Sequence, residues 1–525
     1  MGQIRKEIAM TKPTSCEVIE KIVREWLRRE MSMNLQAIDY DMPFLDLAID
    51  SLGAISITAE IEDAFQKRMN PELLYELDSI RDLAAHLDSL PEVSASGAVS
   101  HGNLSSNGLG SVAATEPDCP ADPSEGDWIA EDPISYYTRL NRKVNTAKEQ
   151  GVYPFEPEIS AHDGVWVQCE GKRMLMLSSY EYLGLLGHEE LNRAAEDAIL
   201  DFGTGHHGSR LLTGTTSNHC DLEFRLAQWM RADDAIVFSS GYVANLATIS
   251  ALVGPGDYIV GDKLNHASIV DGCRMSGADF KEFKHNDMDD LVSLLLHSGG
   301  RRTLVVVDAI FSMEGDIVDL PSVVEICKKN NALLMVDEAH SMGVLGKTGA
   351  GIQEHFGLDA DDVDIKMGTL SKSLAGSGGF VAANSQIITY LRHHARGYIF
   401  SGALPSVYAN VAIAALEVLR REPSRVAQIW KNIEYYHAGL KRLGFDTGAS
   451  ETPIVPIMTR SNDETMAFTH LCRGEGLLVV PVCYPAVPMD APRLRTCITS
   501  THQQSDLDFA LDVLARAGRQ CGIID

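Results

Sequence analysis

The spacing of apolar residues changes along this chain, and the changes divide it. Ile19, Ile22, Val23, Trp26 and Leu27 recur at three- and four-residue intervals, which predicts one apolar helix face. A second helical run is predicted after Asp50 and Ser51, carried by Leu52, Ile55, Ala59, Ile61 and Phe65. Ser79-Ile80-Arg81-Asp82 reads as an N-cap with an acidic residue three positions on, opening a short last helix through Leu83 and Leu87. Three or four short helices over residues 12–90 predict a small all-α bundle. From Pro91 to Asp127 the composition shifts to Ser, Gly, Ala, Asn and Pro with no Lys or Arg. So few large apolar residues do not offset the entropy of ordering, which predicts a flexible linker with a root-mean-square span of roughly 33 Å.

After Trp128 the pattern alternates between short apolar runs and helical stretches. Thr303–Asp308 and Ala332–Asp337 are nearly continuous apolar runs, as expected of parallel strands buried on both faces. The second run ends at Asp337-Glu338-Ala339-His340, at the carboxyl end of a strand, where open α/β sheets place ligands. Ala235–Gly256 is uncharged and long enough to span a bilayer. Ser239, Ser240, Gly241, Asn245 and Pro255 interrupt it, which predicts a buried strand, turn and helix instead. Strands near Pro453–Thr459, Leu477–Val482 and Leu494–Ser500 predict a smaller α/β lobe after Pro405. The expected fold is therefore α/β, with a large mostly parallel domain over 128–404, a small domain over 405–525, and the helical bundle in front.

Composition narrows the function. The chain has 525 residues, 45% of them apolar, enough for two or more domains with a large core. Its mean hydropathy is near zero (−0.06). A formal net charge of −28 argues against nucleic-acid binding and against anionic membrane surfaces. Ten cysteines without Cys-x-x-Cys spacing suggest reduced thiols rather than zinc or a disulfide framework. Met1–Lys12 mixes charges without an apolar segment, so no signal peptide is expected and the predicted location is cytoplasmic.

Two residues are placed to carry covalent cargo. Ser51, in Ile49-Asp50-Ser51-Leu52-Gly53, stands at a helix start, where outward amides and the helix dipole favour a phosphodiester. A plain N-cap serine in a helical docking domain is the ordinary alternative. Lys372 lies in Gly368-Thr-Leu-Ser-Lys-Ser373. Pyridoxal phosphate needs a lysine, a carboxylate for its ring nitrogen, and donors for its phosphate. Lys372 suits the first and Asp337, 35 positions earlier, the second. His340 would reach the phenolic oxygen, Thr369 would donate to phosphate, and His266 offers a flat group to stack on the ring. Phe238-Ser-Ser-Gly-Tyr-Val-Ala-Asn245 runs from strand into helix, a ready anion site. Taken singly, such a lysine is usually solvated, such a histidine packs, and such an aspartate caps a helix.

The first ninety residues resemble an acyl carrier protein domain, which implies 4'-phosphopantetheine on Ser51. Residues from about 150 to 515 resemble the α-oxoamine synthases, fold-type I pyridoxal phosphate enzymes that include serine palmitoyltransferase, 8-amino-7-oxononanoate synthase and 2-amino-3-ketobutyrate CoA ligase. Ser179-Tyr-Glu-Tyr-Leu-Gly184, Gly208-Ser-Arg-Leu-Leu-Thr-Gly214, Phe238-Ser-Ser-Gly-Tyr242, Asp308-Ala-Ile-Phe-Ser-Met-Glu-Gly315, Val336-Asp-Glu-Ala-His340 and Met367-Gly-Thr-Leu-Ser-Lys372 carry the resemblance. Tyr398-Ile-Phe-Ser401 and Arg493-Leu-Arg495 continue it.

The resemblance implies that Lys372 binds pyridoxal 5'-phosphate and moves the Cα proton. It places Asp337 at the pyridine nitrogen, His340 and Ser312 at the phenolic oxygen, and His266 on the ring. Ser240, Gly241, Tyr242 and Thr369 would hold the phosphate, joined by Ser401 of the partner subunit in a homodimer. Arg495, ahead of Arg493, would bind the amino-acid carboxylate. The implied reaction is a decarboxylating condensation of an amino acid with an acyl thioester, presented by the fused carrier. A phosphopantetheinyl transferase and an acyl-loading enzyme would be its partners. Tyr180 stands where glycine- and alanine-using relatives carry Asn, which implies L-serine ahead of alanine and glycine. Rival readings are an acyl-CoA-using enzyme with a non-essential carrier, an aminotransferase, and a catalytically dead scaffold, against which Lys372 argues. Gly203-Thr-Gly-His-His207 either gates the cleft or simply turns.

Overall fold

The structure, a computed structural model, describes residues 14–30, 37–40, 57–58, 61, 64–65, 79–89, 134, 138, 141–149 and 151–525 apart from 484, 485 and 489. Ser51, Leu52, Ile55 and Ala59 lie outside the described residues, as does the segment 91–127. The chain divides into two compact units, Met1–Asp122 and Pro123–Asp525.

In the first unit, the helix Ser15–Glu30 opens on a reciprocal cap. Glu17 N donates to Thr14 Oγ1 (3.3 Å) and Thr14 N to Glu17 Oε2 (2.7 Å). Ile19, Val23, Trp26 and Leu27 are buried, the stripe that the three-and-four spacing predicts. The helix Ile80–Ser89 starts where the sequence places it, with Asp82 N donating to Ser79 Oγ at 3.3 Å. Ile80, Leu83 and Leu87 join Ile57 and Ile61 in the same small core, and Phe65 packs against it.

The second unit begins with an antiparallel meander, β1 (Ile159–Asp163), β2 (Trp166–Cys169) and β3 (Lys172–Met176). Next comes a seven-stranded sheet of β4 (Asp234–Phe238), β5 (Tyr258–Asp262), β6 (Asp279–Phe283), β7 (Thr303–Asp308), β8 (Leu333–Asp337), β9 (Ile365–Thr369) and β10 (Gly379–Ala383). Their order is β4-β10-β9-β8-β7-β5-β6, parallel throughout except for the antiparallel β10. Alternation within the strands explains the apolar runs. Val305 and Val307 enter one core, Leu304 and Val306 the other, so every position of β7 is buried. Ala235–Gly256 resolves into β4 and the helix Gly241–Leu252, the predicted strand, turn and helix. Among the described residues no helix is long and apolar enough to cross a membrane.

The remaining strands are β11 (Ile454–Met458), β12 (Leu477–Leu478), β13 (Val480–Val482) and β14 (Arg493–Cys497). β11, β14 and β13 form an antiparallel sheet, whereas β12 pairs in parallel with β3. The predicted strand Leu477–Val482 thus splits between two sheets. The helix Ser406–Arg421 packs on helices Glu189–Phe202 and Ser217–Trp229, and one core runs from Leu175 to Ile524.

Leu304 is fully buried at the centre of the sheet. Leu304→Ala is expected to destabilise the second unit by about 2–5 kcal/mol, the cost of lost burial plus a cavity. Urea denaturation followed by tryptophan fluorescence measures it, and an unchanged midpoint would contradict this placement.

Candidate active site

The carboxyl edge of the large sheet gathers acids. β5 ends on Asp262, β7 on Asp308 and β8 on Asp337, with Asp308 and Asp337 in register on neighbouring strands. Asp337 is buried, and its carboxylate accepts from Asn245 Nδ2 (2.7 Å) and from the Ala339 amide (2.8 Å). Asp308 accepts from the His266 amide at 2.7 Å. Burial, and then the charge of Asp337, hold the Asp308 carboxyl well above the usual carboxylate range.

Lys372 faces this edge from the loop after β9. Its Nζ lies 2.9 Å from His340 Nε2. Burial lowers the amine to about 8, a shift that Asp337 and Asp308 oppose. Burial and the nearby Lys372 also hold His340 well below the ordinary histidine value, so the imidazole is neutral. Tyr182, fully buried, places its hydroxyl 2.7 Å from His340 Nδ1 and fixes the ring. Tyr180 meets His340 edge-on, with centroids 6.2 Å apart, and its ring lies 6.0 Å from Lys372 Nζ. The turn after β3 thus brings both tyrosines to His340, and Tyr180 also to the lysine.

Ser240 is the N-cap of the helix Gly241–Leu252, and its Oγ accepts from the Val243 amide. The first-turn amides of Gly241 and Tyr242 have no partner within the helix, the usual basis of an anion site. A Cβ on Gly241 would lie 3.2 Å from both Met367 Cε and Thr369 Oγ1, so glycine keeps this approach open. Thr369 Oγ1 donates to the Gly378 carbonyl at 3.0 Å and lies 2.8 Å from Ser371 Oγ. The Tyr242 hydroxyl bonds Asp271, and its ring stands edge-on to His266 at 6.4 Å. Tyr242 thus offers its amide to this cradle, while its hydroxyl is engaged elsewhere. His266 caps the helix Ala267–Ser276, its Nδ1 accepting from the Ser268 amide.

The opposite wall is the tight loop after β7. Arg495, buried on β14, donates from Nε to the Ser312 carbonyl at 2.7 Å and contacts Cys497 Sγ at 3.2 Å. Its Nη2 is buried without a partner, and its guanidinium lies 4.9 Å from the Tyr180 ring centroid. Arg493, two positions away on the same strand face, is occupied by Glu314 Oε1 (3.0 Å) and the Met313 carbonyl (3.1 Å). Arg495 therefore keeps a buried nitrogen without a partner, whereas the charge of Arg493 is paired with Glu314. Ser401 stands in the loop after the helix Arg396–Ile399.

Lys372, Asp337, His340, His266, Tyr180, Ser312 and Arg495 thus line one edge. Tyr182, Asn245 and Asp308 belong with them and were not singled out in the sequence. All three sit inside motif stretches, but their partners are tertiary. The residues fit pyridoxal phosphate: a lysine amine with a low pKa, a buried carboxylate beside it, a helix-start cradle, and two buried polar atoms, Asn245 Oδ1 and Arg495 Nη2, that lack partners.

Comparison with known proteins supplies the context. The family Aminotransferase class I and II matches residues 172–514, and the Phosphopantetheine attachment site matches residues 17–87, a span that includes Ser51. A serine palmitoyltransferase of Sphingobacterium spiritivorum is 42% identical over 381 residues, covering 72% of this chain and 95% of that protein. An 8-amino-7-oxononanoate synthase of Thermosipho melanesiensis is 39% identical over 389 residues, covering 74% and 99%. A high-resolution structure described as SPT with PLP superposes with a TM-score of 0.72 at 33% identity, covering 75% of this chain and all of that one.

Only a neutral amine attacks an aldehyde. The rate at which Lys372 takes up pyridoxal phosphate in cofactor-free protein should therefore rise with pH and level off above about 8. A solvated lysine would keep rising toward roughly 10.5. Stopped-flow absorbance across pH measures the inflection, and one near the solvated value would show that burial does not tune this amine.

Proposed function

The chain belongs to the pyridoxal phosphate-dependent α-oxoamine synthases, and we propose that it condenses L-serine with an acyl thioester carried on its own phosphopantetheine arm, releasing carbon dioxide and an α-amino ketone. The observation that carries this reading is Lys372 Nζ, 2.9 Å from His340 in a buried edge of the sheet that also holds Asp337. Pyridoxal 5'-phosphate, when bound, supplies an electron sink for a carbanion at the amino acid's Cα.

The chain's own residues divide the remaining work. Lys372 Nζ, its pKa lowered to about 8 by burial, would hold the cofactor and later take the Cα proton. Asp337, oriented by Asn245, would keep the ring nitrogen protonated. His340, aligned by Tyr182, would hold the phenolic oxygen together with Ser312. His266 would cover the ring face. Ser240, Gly241, Tyr242 and Thr369 would take the phosphate. Arg495 Nη2 takes the substrate carboxylate, because its other contacts leave that donor open. The new bond joins Cα to the acyl carbonyl carbon as the C–S bond breaks and the thiolate leaves with a proton from water; the carboxylate then departs as carbon dioxide, and Cα regains the proton that Lys372 Nζ took.

Tyr180 stands beside both Arg495 and Lys372, and the choice of serine rests on its standing where glycine- and alanine-using relatives carry Asn. A homodimer fits the exposed apolar side chains Leu212 (81% exposed) and Phe400 (73%). Phe400 adjoins Ser401, which we assign to the partner's phosphate cradle.

Mass spectrometry of holo-protein loaded on Ser51 tests the reading, with L-serine, L-alanine and glycine offered in turn. We expect a serine-derived amino ketone and acyl-dependent carbon dioxide, lost by about a thousandfold in Lys372→Ala. Ser51→Ala should cut carrier-dependent turnover by about a hundredfold, because capture is no longer intramolecular. A keto acid without carbon dioxide would make the chain an aminotransferase. Full turnover of Ser51→Ala in the loaded pathway would show delivery by acyl-CoA, and an alanine- or glycine-derived product would correct the amino acid.

A further inference from the structure

One histidine outside the reacting cluster ties its two walls together. His285, in the loop after β6, has both ring nitrogens on carboxylates: Nδ1 lies 3.0 Å from Asp262 Oδ1, and Nε2 lies 2.8 Å from Asp316 Oδ2. Two carboxylate acceptors require two N–H donors, so the ring is an imidazolium. Burial alone would lower its pKa, but the hydrogen bonds to Asp262 and Asp316 prevail and push it up to about 10. The ring also stands edge-on against Phe311, with centroids 4.4 Å apart.

Each carboxylate anchors a different wall. Asp262 accepts from the amides of Leu264 (2.8 Å) and Asn286 (2.9 Å), which sets the turn leading to His266. Asp316 closes the loop after β7, where the Phe311 amide donates to its carbonyl (3.1 Å) and the Gly315 amide donates to Phe311 O (2.8 Å). This loop carries Ser312 and presents the carbonyl that orients Arg495. Neither carboxylate touches the lysine or the anion cradle.

We infer that His285 is a positioning residue: its imidazolium clamps Asp262 to Asp316 and so holds the ring-stacking His266 and the carboxylate-binding Arg495 in one fixed geometry. The inference rests on the reading of Arg495 as the amino-acid carboxylate site. Loosening the clamp should weaken amino-acid binding more than chemistry, because Lys372, Asp337 and His340 keep their own partners.

Hydrogen exchange on the cofactor-free full chain tests the clamp without any assumption about activity. In His285→Gln, which removes the charge and one pairing, amides of 262–266 and of 311–316 should both exchange about tenfold faster, with other β-strands unchanged. In the holoenzyme, the KM for the amino acid should rise about tenfold while kcat changes less than threefold. Asp316→Asn, which keeps an acceptor but no charge, should move KM the same way by a smaller factor, and stands in if His285→Gln fails to fold. Wild-type exchange in both segments, or a fall in kcat at constant KM, overturns the inference. Wild-type protein that shows no amino-acid-dependent carbon dioxide would instead sink the proposed function and leave the exchange result standing.

Discussion

Everything at the candidate site follows from burying an amine, an imidazole and two carboxylates at one edge of a sheet. In water the amine and both carboxylates would each hold a charge, and the imidazole would be partly charged near neutral pH. Enclosed together, they settle their protons jointly, since desolvation penalises every isolated charge. Lys372 is pulled down and Asp308 is pushed up. His340 is left neutral. The parallel sheet enforces this crowding, because strands in register deliver Asp308 and Asp337 side by side at their carboxyl ends.

Much of this was legible in the sequence, and the reasons differ by element. Continuous apolar runs marked β7 and β8 because their residues feed cores on both faces. The cap at Ser79 and the stripe from Ile19 to Leu27 were visible because both depend on neighbours within a turn or two. Lys372, Asp337 and His340 stood out as one ordered set. The meander β1 to β3 was not foreseen, since its strands are short and β1 is exposed throughout. The split of Leu477–Val482 between two sheets also has no local signature.

The harder distinctions were tertiary. Arg493 and Arg495 are two positions apart on one strand face, and the sequence ranked them only by resemblance. The structure separates them by what else each one touches: Glu314 occupies the first, while the second keeps an unpartnered buried nitrogen. Tyr182 and Asn245 were missed for a related reason. Each acts on a residue it supports, His340 or Asp337, and such a supporting contact has no fixed sequence spacing.

The parallel pairing of β3 with β12 bears on how the chain is made. Leu175 waits for Leu477, roughly three hundred residues downstream. Cys497 and Ser500 then hydrogen-bond Leu177 and Tyr182, so the loop bearing both tyrosines is set last. On the ribosome, the β3 edge of the early meander lacks this partner until β12 has emerged. Nascent chains stalled short of β12 should therefore be the ones that chaperones hold longest.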